Sequence, residues 1–216
     1  MSVRRKIMIT LFSIVGALAF CATIVILTGI YYNSPTKGAP IEQYDNPKSA
    51  LLVVDVQKDI TNDSSPYDNI EGFVYNVNQA ITHAEKNDME IIYIKNECGN
   101  NPIIKLLSGG KFKEGTEGVE FDSNLLVLND NIFIKNKGDS FSIKEFDEYL
   151  ISNQVDTLYI VGADASACVY NTARGALNRD YVVSVIEDAI ITVNDKTMSK
   201  MLKQYEKDGI EVTNMV

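Results

Sequence analysis

The chain has 216 residues, 45% hydrophobic and 23% charged, with a formal net charge of −9, one histidine and three cysteines. Beyond a basic cluster at Arg4, Arg5 and Lys6, 17 basic residues face 29 acidic ones, a balance of −12 that repels nucleic acid and anionic lipid surfaces. Three cysteines without a CxxC spacing exclude a disulfide framework, and the lone His83 argues against a Cys–His dyad, a Ser–His–Asp triad or a histidine-based zinc site.

Residues 1–6 read as a basic cytoplasmic end. Residues 7–32 then run for 26 positions without a charge. As a helix this run is ~39 Å long, enough for a hydrocarbon core of about 30 Å. The preceding basic cluster favours a cytoplasmic N-terminus, and Tyr31 and Tyr32 suit the outer interface. A cleaved signal peptide is the competing reading, but its apolar core is normally ~7–15 residues. The run is therefore taken as an uncleaved transmembrane anchor, with a single-pass protein at the cell membrane and its domain extracytoplasmic. Residues 33–48 (NSPTKGAPIEQYDNPK) hold three prolines and no apolar period, and read as a linker. Residues 49–216, about 168 positions, suit one domain with its own core.

Within the domain, 50–56 (ALLVVDV) is a continuous apolar run interrupted only by Asp55, the pattern of a buried central strand. The stretch 71–86 carries a helical apolar stripe, with His83 on that helix as a partly exposed residue. Strands follow at 90–94 and 131–134, a helix at 143–152, a strand at 157–161, a helix at 168–178, a strand at 181–186, a helix at 196–207 and a sixth strand at 210–213. This alternation predicts a three-layer α/β/α domain with a mostly parallel, Rossmann-like sheet. The polar, glycine-containing stretch 96–130 is left as a long excursion of the kind often found beside a site.

Parallel sheets bind ligands beyond the carboxyl ends of their strands. Three reactive residues fall at such ends: Asp55, Lys135 and Cys168. Cys168 also opens a helix, where unpaired N–H groups and the macrodipole favour a thiolate and can hold an oxyanion. An aspartate beside it can accept the thiol proton, and a lysine can stabilise the developing negative charge. The bland readings are a space-filling thiol, a turn aspartate and a surface lysine no different from Lys137. No GxGxxG follows Val56 and no P-loop pattern exists, so no nucleotide cofactor is supported.

Three segments, LLVVDVQKD with Asp55 and Gln57, IFIKNKGDSF with Lys135 and Phe141, and VGADASACVYNTARGALNRDYVVSVIEDAI around Cys168, together resemble the isochorismatase-like cysteine hydrolases, the superfamily of nicotinamidases and N-carbamoylsarcosine amidases. The resemblance covers nearly all of 49–216. It implies a catalytic triad of Asp55, Lys135 and Cys168 and a cysteine thioester formed from a small amide-like substrate. It also implies a cis peptide at Ala163–Asp164, with the N–H groups of Asp164 and Cys168 as the oxyanion hole. Gln57, Asp59, Phe141 and Tyr170 are the candidates for substrate contacts. Nicotinamidases bind a metal through a DxH segment; here that region is IKNECGN, so neither a metal nor any other cofactor is expected. Relatives often associate, which leaves a homo-oligomer open. Two rivals stand beside the hydrolase: an inactive exported binding protein of the same fold, and a thiol redox protein that would need Cys98 as its resolving thiol.

Overall fold

The computed structural model describes residues 3–99 and 101–214. Ala50 to Val54 are all buried, and this makes β1 (Lys48–Val54) a central strand. It pairs in parallel with β2 (Glu90–Asn96) on one side and β4 (Val155–Ala163) on the other. β3 (Ile132–Lys135) lies outside β2, while β5 (Val182–Ile191) and β6 (Glu211–Thr213) follow β4. The sheet order is β3-β2-β1-β4-β5-β6, and every pairing is parallel, where the sequence alone indicated a mostly parallel sheet.

Alternation along β1 divides the core. Leu51 and Val53 point to one face, where α3 (Ile70–Lys86) lays down Phe73, Val74, Val77, Ala80, Ile81 and Ala84. Ala50, Leu52 and Val54 point to the other, covered by α5 (Lys144–Ser152), α6 (Cys168–Leu177) and α7 (Asp195–Lys207). These are the three layers expected. β5 runs to Ile191, five residues past its anticipated end, through a register irregularity opposite the Ile160–Gly162 stretch of β4. The excursion 96–130 holds a capped helix, α4 (Pro102–Leu107), and a 3-10 turn at Glu117–Val119. A short α2 (Lys58–Thr61) follows β1.

Gly162 is the tightest point of the sheet. Its φ is +119°, and a Cβ there would lie 2.0 Å from the Val54 carbonyl oxygen. Both the dihedral and the close approach demand glycine. Gly162→Ala should therefore destabilise the protein by about 3 kcal/mol or more, read by urea unfolding. Retention of wild-type stability would show that the β1–β4 contact can yield.

At the N-terminus, α1 (Val3–Tyr32) is one continuous helix. Its Met8–Tyr32 portion is long and apolar enough to cross a membrane, with a mean hydropathy of 2.5 and none of it buried against the domain. Residues 33–47 have no helix or strand and are docked on the domain. Thr36 donates its N–H and hydroxyl to Asp139 Oδ2 at 2.6 and 2.7 Å. Ile41 N–H donates to the Arg179 carbonyl at 2.9 Å, and Gly138 N–H donates to the carbonyl of Tyr32 at 2.8 Å. Composition shows the lack of an apolar period, but not these partners, which lie about a hundred residues away.

Candidate active site

β1 ends at Asp55, whose backbone turns into the left-handed region (φ 53°) while its N–H still donates to the Ile94 carbonyl at 2.9 Å. Aspartate tolerates this region better than most residues, and such positions cost about 1–3 kcal/mol and gather at functional sites. Lys135 closes β3 and Cys168 opens α6. The fold brings all three together. The Lys135 ammonium donates to Asp55 Oδ2 at 2.7 Å and to Cys168 Sγ at 3.3 Å. The side chains of Lys135 and Asp55 are 0% and 1% exposed, so this ion pair is shielded from water. Asp55 Oδ1 is buried with no nitrogen or oxygen partner, and the Cys168 thiol is the remaining group coupled to this carboxyl.

The electrostatics correct one expectation. Burial, reinforced by the Asp55 charge, pushes the Cys168 thiol up to about 12, with Lys135 pulling only part of the way back. Beside Asp55 a second negative charge would have to share one cation, which opposes a thiolate even at the helix N-terminus. Burial also raises Asp55 above the ordinary carboxylate range despite Lys135. Burial alone would lower Lys135, but Asp55 and the thiol overcome it and hold the ammonium charged. The resting site is thus a neutral thiol beside an ion pair. Alkylation of Cys168 by iodoacetamide should accordingly keep accelerating from neutral into strongly alkaline pH. A rate plateau near neutrality would show a preformed thiolate instead.

The turn between β4 and α6 supplies backbone donors. The Ala163–Asp164 peptide is cis. Ala165 N–H is taken by the Ile191 carbonyl at 2.8 Å, while those of Ala167 and Val169 go to the Asp164 carbonyl at 3.0 and 3.2 Å. Ser166 N–H goes to Asp164 Oδ1 at 2.6 Å. This network omits the N–H groups of Asp164 and Cys168, the two donors proposed for an oxyanion.

Each of the four residues offered as substrate contacts has protein partners in the fold. Gln57 is fully buried; its amide nitrogen donates to the carbonyls of Asn96 (3.0 Å) and Val119 (2.7 Å), and its oxygen accepts from Asn96 N–H at 2.8 Å. It therefore stitches the end of β2 to the excursion. Asp59 accepts from Phe112 N–H at 2.6 Å in the same role. Phe141 lies in the core against Phe146 and Tyr181, with the Arg179 guanidinium 4.6 Å from its ring centre. Tyr170 points to α7, donating to Asp208 at 2.6 Å and packing on Tyr205.

Tyr67, which the sequence reading did not single out, and Cys98, which it considered only as a resolving thiol, both lie within electrostatic range of the site. Tyr67 is half-buried, and its hydroxyl is raised by burial and then by the nearby charges of Asp164, Cys168 and Asp55. Its signal was available: it is the sole aromatic in the turn-rich stretch between β1 and α3. Cys98 is buried close enough for Lys135 and Asp55 to act on it, although burial dominates and raises its thiol. A cleft of about 600 Å³ reaches Lys135 and is lined also by Glu97, Glu114, Ser142 and Lys144. A groove of similar volume containing His83 lies at the opposite, starting end of the strands and has no part in this chemistry.

Comparison with known proteins places these features in context. The isochorismatase domain profile matches residues 49–215. A Bacillus subtilis (strain 168) protein described as an uncharacterized isochorismatase family protein, YddQ, is 26% identical over 156 residues, spanning 71% of this chain and 83% of its own length. The crystal structure of N-carbamoylsarcosine amidase from Thermoplasma acidophilum superposes with a TM-score of 0.68 at 24% identity, covering 77% of this chain and 96% of the other. The pyrazinamidase of Pyrococcus horikoshii, solved in complex with zinc, gives 0.68 at 23% identity over 78% of this chain and 100% of its own. These structures share the fold. A zinc site does not fit the residues present: among those described, no group of three or more His, Cys, Asp or Glu side chains could hold a metal ion.

Proposed function

The chain belongs to the isochorismatase family, and from that membership we propose that it is a cysteine hydrolase cleaving the C–N bond of a small amide-type molecule. The observation that carries this reading is the Lys135 ammonium held between Asp55 Oδ2 at 2.7 Å and Cys168 Sγ at 3.3 Å. It gives a base, a fixed cation and a nucleophile in one dry corner.

In the proposed reaction the Asp55 carboxylate takes the thiol proton as Sγ attacks the carbonyl carbon. The carbonyl oxygen gains the negative charge and is held by the N–H groups of Asp164 and Cys168. Lys135 keeps its proton throughout and balances the charge that passes between Asp55 and sulfur. Collapse of the adduct breaks the C–N bond, and the proton on Asp55 moves to the departing nitrogen. Ammonia or an amine leaves, and a thioester remains. Asp55, ionised again, takes a proton from water as the water attacks the thioester. The C–S bond then breaks, the acid product departs, and that proton returns to sulfur.

The same proposal puts α1 across the cell membrane with residues 33–216 outside. Its support is the uncharged Met8–Tyr32 span and the basic residues before it. Purified full-length protein in detergent, offered a panel of primary and N-substituted amides, should release ammonia or amine from at least one, and a chelator should leave that rate unchanged. Equal release by wild type and Cys168→Ala would defeat the proposed nucleophile. Failure across the panel, with Cys168 alkylating like any free thiol, would favour a binding protein of this fold.

A further inference from the structure

We infer that α4 is a second membrane contact, its Leu106–Leu107 edge seated at the outer boundary of the bilayer that α1 crosses. The inference rests on the spanning role proposed for α1. The first observation is depth. Gly29 lies inside the apolar span, one turn before its end at Tyr32. A Cβ at Gly29 would stand 3.6 Å from Leu107 Cδ1, so Leu107 packs directly on that turn. Three residues of helix rise about 4.5 Å, which sets α4 at the level where α1 leaves the hydrocarbon.

The second observation is what α4 presents. Ile104 turns inward and is buried, whereas Leu106 and Leu107 are 69% and 43% exposed. Two adjacent exposed leucines on so short a helix are an unusual surface for water. The helix is firmly built: Asn101 Oδ1 accepts from Ile103 and Ile104 N–H at 2.9 and 3.3 Å, with Pro102 at the first position. Exposed Lys105 lies within the helix and exposed Lys113 follows it, basic side chains beside an apolar edge as in an interfacial segment.

The third observation is orientation. Gly138 N–H donates to the Tyr32 carbonyl at 2.8 Å, and the Lys137 ammonium sits 3.8 Å from the Tyr31 ring centre. The end of α1 thereby contacts the segment that follows Lys135, which places α4 on the side of the domain that faces the lipid. A second copy of the chain could also cover two leucines, but continuity with α1 favours the bilayer. The domain as a whole is acidic, so the contact is apolar and should form on zwitterionic lipid.

The protein contains no tryptophan, which provides a clean test. Leu106→Trp, Leu27→Trp in α1 and Ile151→Trp at the opposite end of the strands each introduce a single indole at an exposed position. The full chain is placed in phosphatidylcholine nanodiscs, with or without bromines high on the acyl chains. The indoles at 27 and 106 should lose most of their emission in brominated discs, and the one at 151 should lose none. If 27 is quenched and 106 behaves like 151, the α4 contact is overturned while the anchor stands. If 27 escapes quenching, the anchor itself fails and the inference goes with it. A blue-shifted but unquenched indole at 106, the same in detergent and in discs, would identify a second copy as the cover and equally overturn the proposal.

Discussion

Cys168→Ala is expected to reduce amide hydrolysis by about 10⁴-fold or more while leaving the fold intact. The side chain begins α6 and is only partly buried by surface, so losing one sulfur atom removes little packing. On the proposed mechanism its loss removes the attacking atom: Sγ stands 3.3 Å from Lys135 Nζ in the corner that also holds Asp55. What remains is binding and the two backbone donors, which support only a small residual rate. The check is kcat/KM on whichever amide the panel identifies, beside a thermal melt of the same variant. A variant that melts like wild type and retains its rate would remove Cys168 from the mechanism.

Asp55→Asn should act twice. On the proposed mechanism it removes the base, for an expected rate loss of about 10³- to 10⁴-fold, and it leaves the Lys135 ammonium buried without its counter-ion. Breaking a buried pair from one side typically costs about 3–5 kcal/mol. The two effects separate in a double variant. Asp55→Asn combined with Lys135→Met should recover much of the lost stability and none of the activity. The pH profile adds a signed test. Burial holds the Asp55 pKa above the ordinary carboxylate range, and the base must be ionised to work. Activity should therefore fall as pH drops through that raised value, earlier than an exposed aspartate would dictate. Any residual activity of Asp55→Asn should lack this acid limb. A wild-type limb at the ordinary carboxylate value would put the essential acid elsewhere.

The sheet was legible because its strands announce themselves. The apolar runs at Ala50–Val54 and Leu158–Val161 are too short for helices and too continuous for exposed strands. That Asp55, Lys135 and Cys168 lie together was legible for a related reason: each follows the carboxyl end of such a run, where side chains converge. Finer features depended on contacts that spacing does not encode. Gln57 and Phe141 sit in conspicuous motifs, yet one stitches the Asn96 segment to Val119 and the other fills the core beside Phe146. Motif membership marked them as important without saying whether for packing or for substrate. A helix terminus is a local field that favours a thiolate, whereas burial and the Asp55 charge, which oppose it, are set by the assembled fold. Tyr67 and α4 lie in irregular stretches where periodicity has nothing to measure.

The hydrogen bonds from Gly138 to the Tyr32 carbonyl and from Thr36 to Asp139 dock the stalk against the head. On the anchored reading, the enzyme does not sweep a volume of solution on a tether; it stays docked beside the end of its span, close to the headgroups. Its substrates would then be drawn from a thin layer rather than from the bulk. Among amides that the cleft treats alike, turnover should rank by partitioning toward lipid, and releasing the head from its stalk should flatten that ranking.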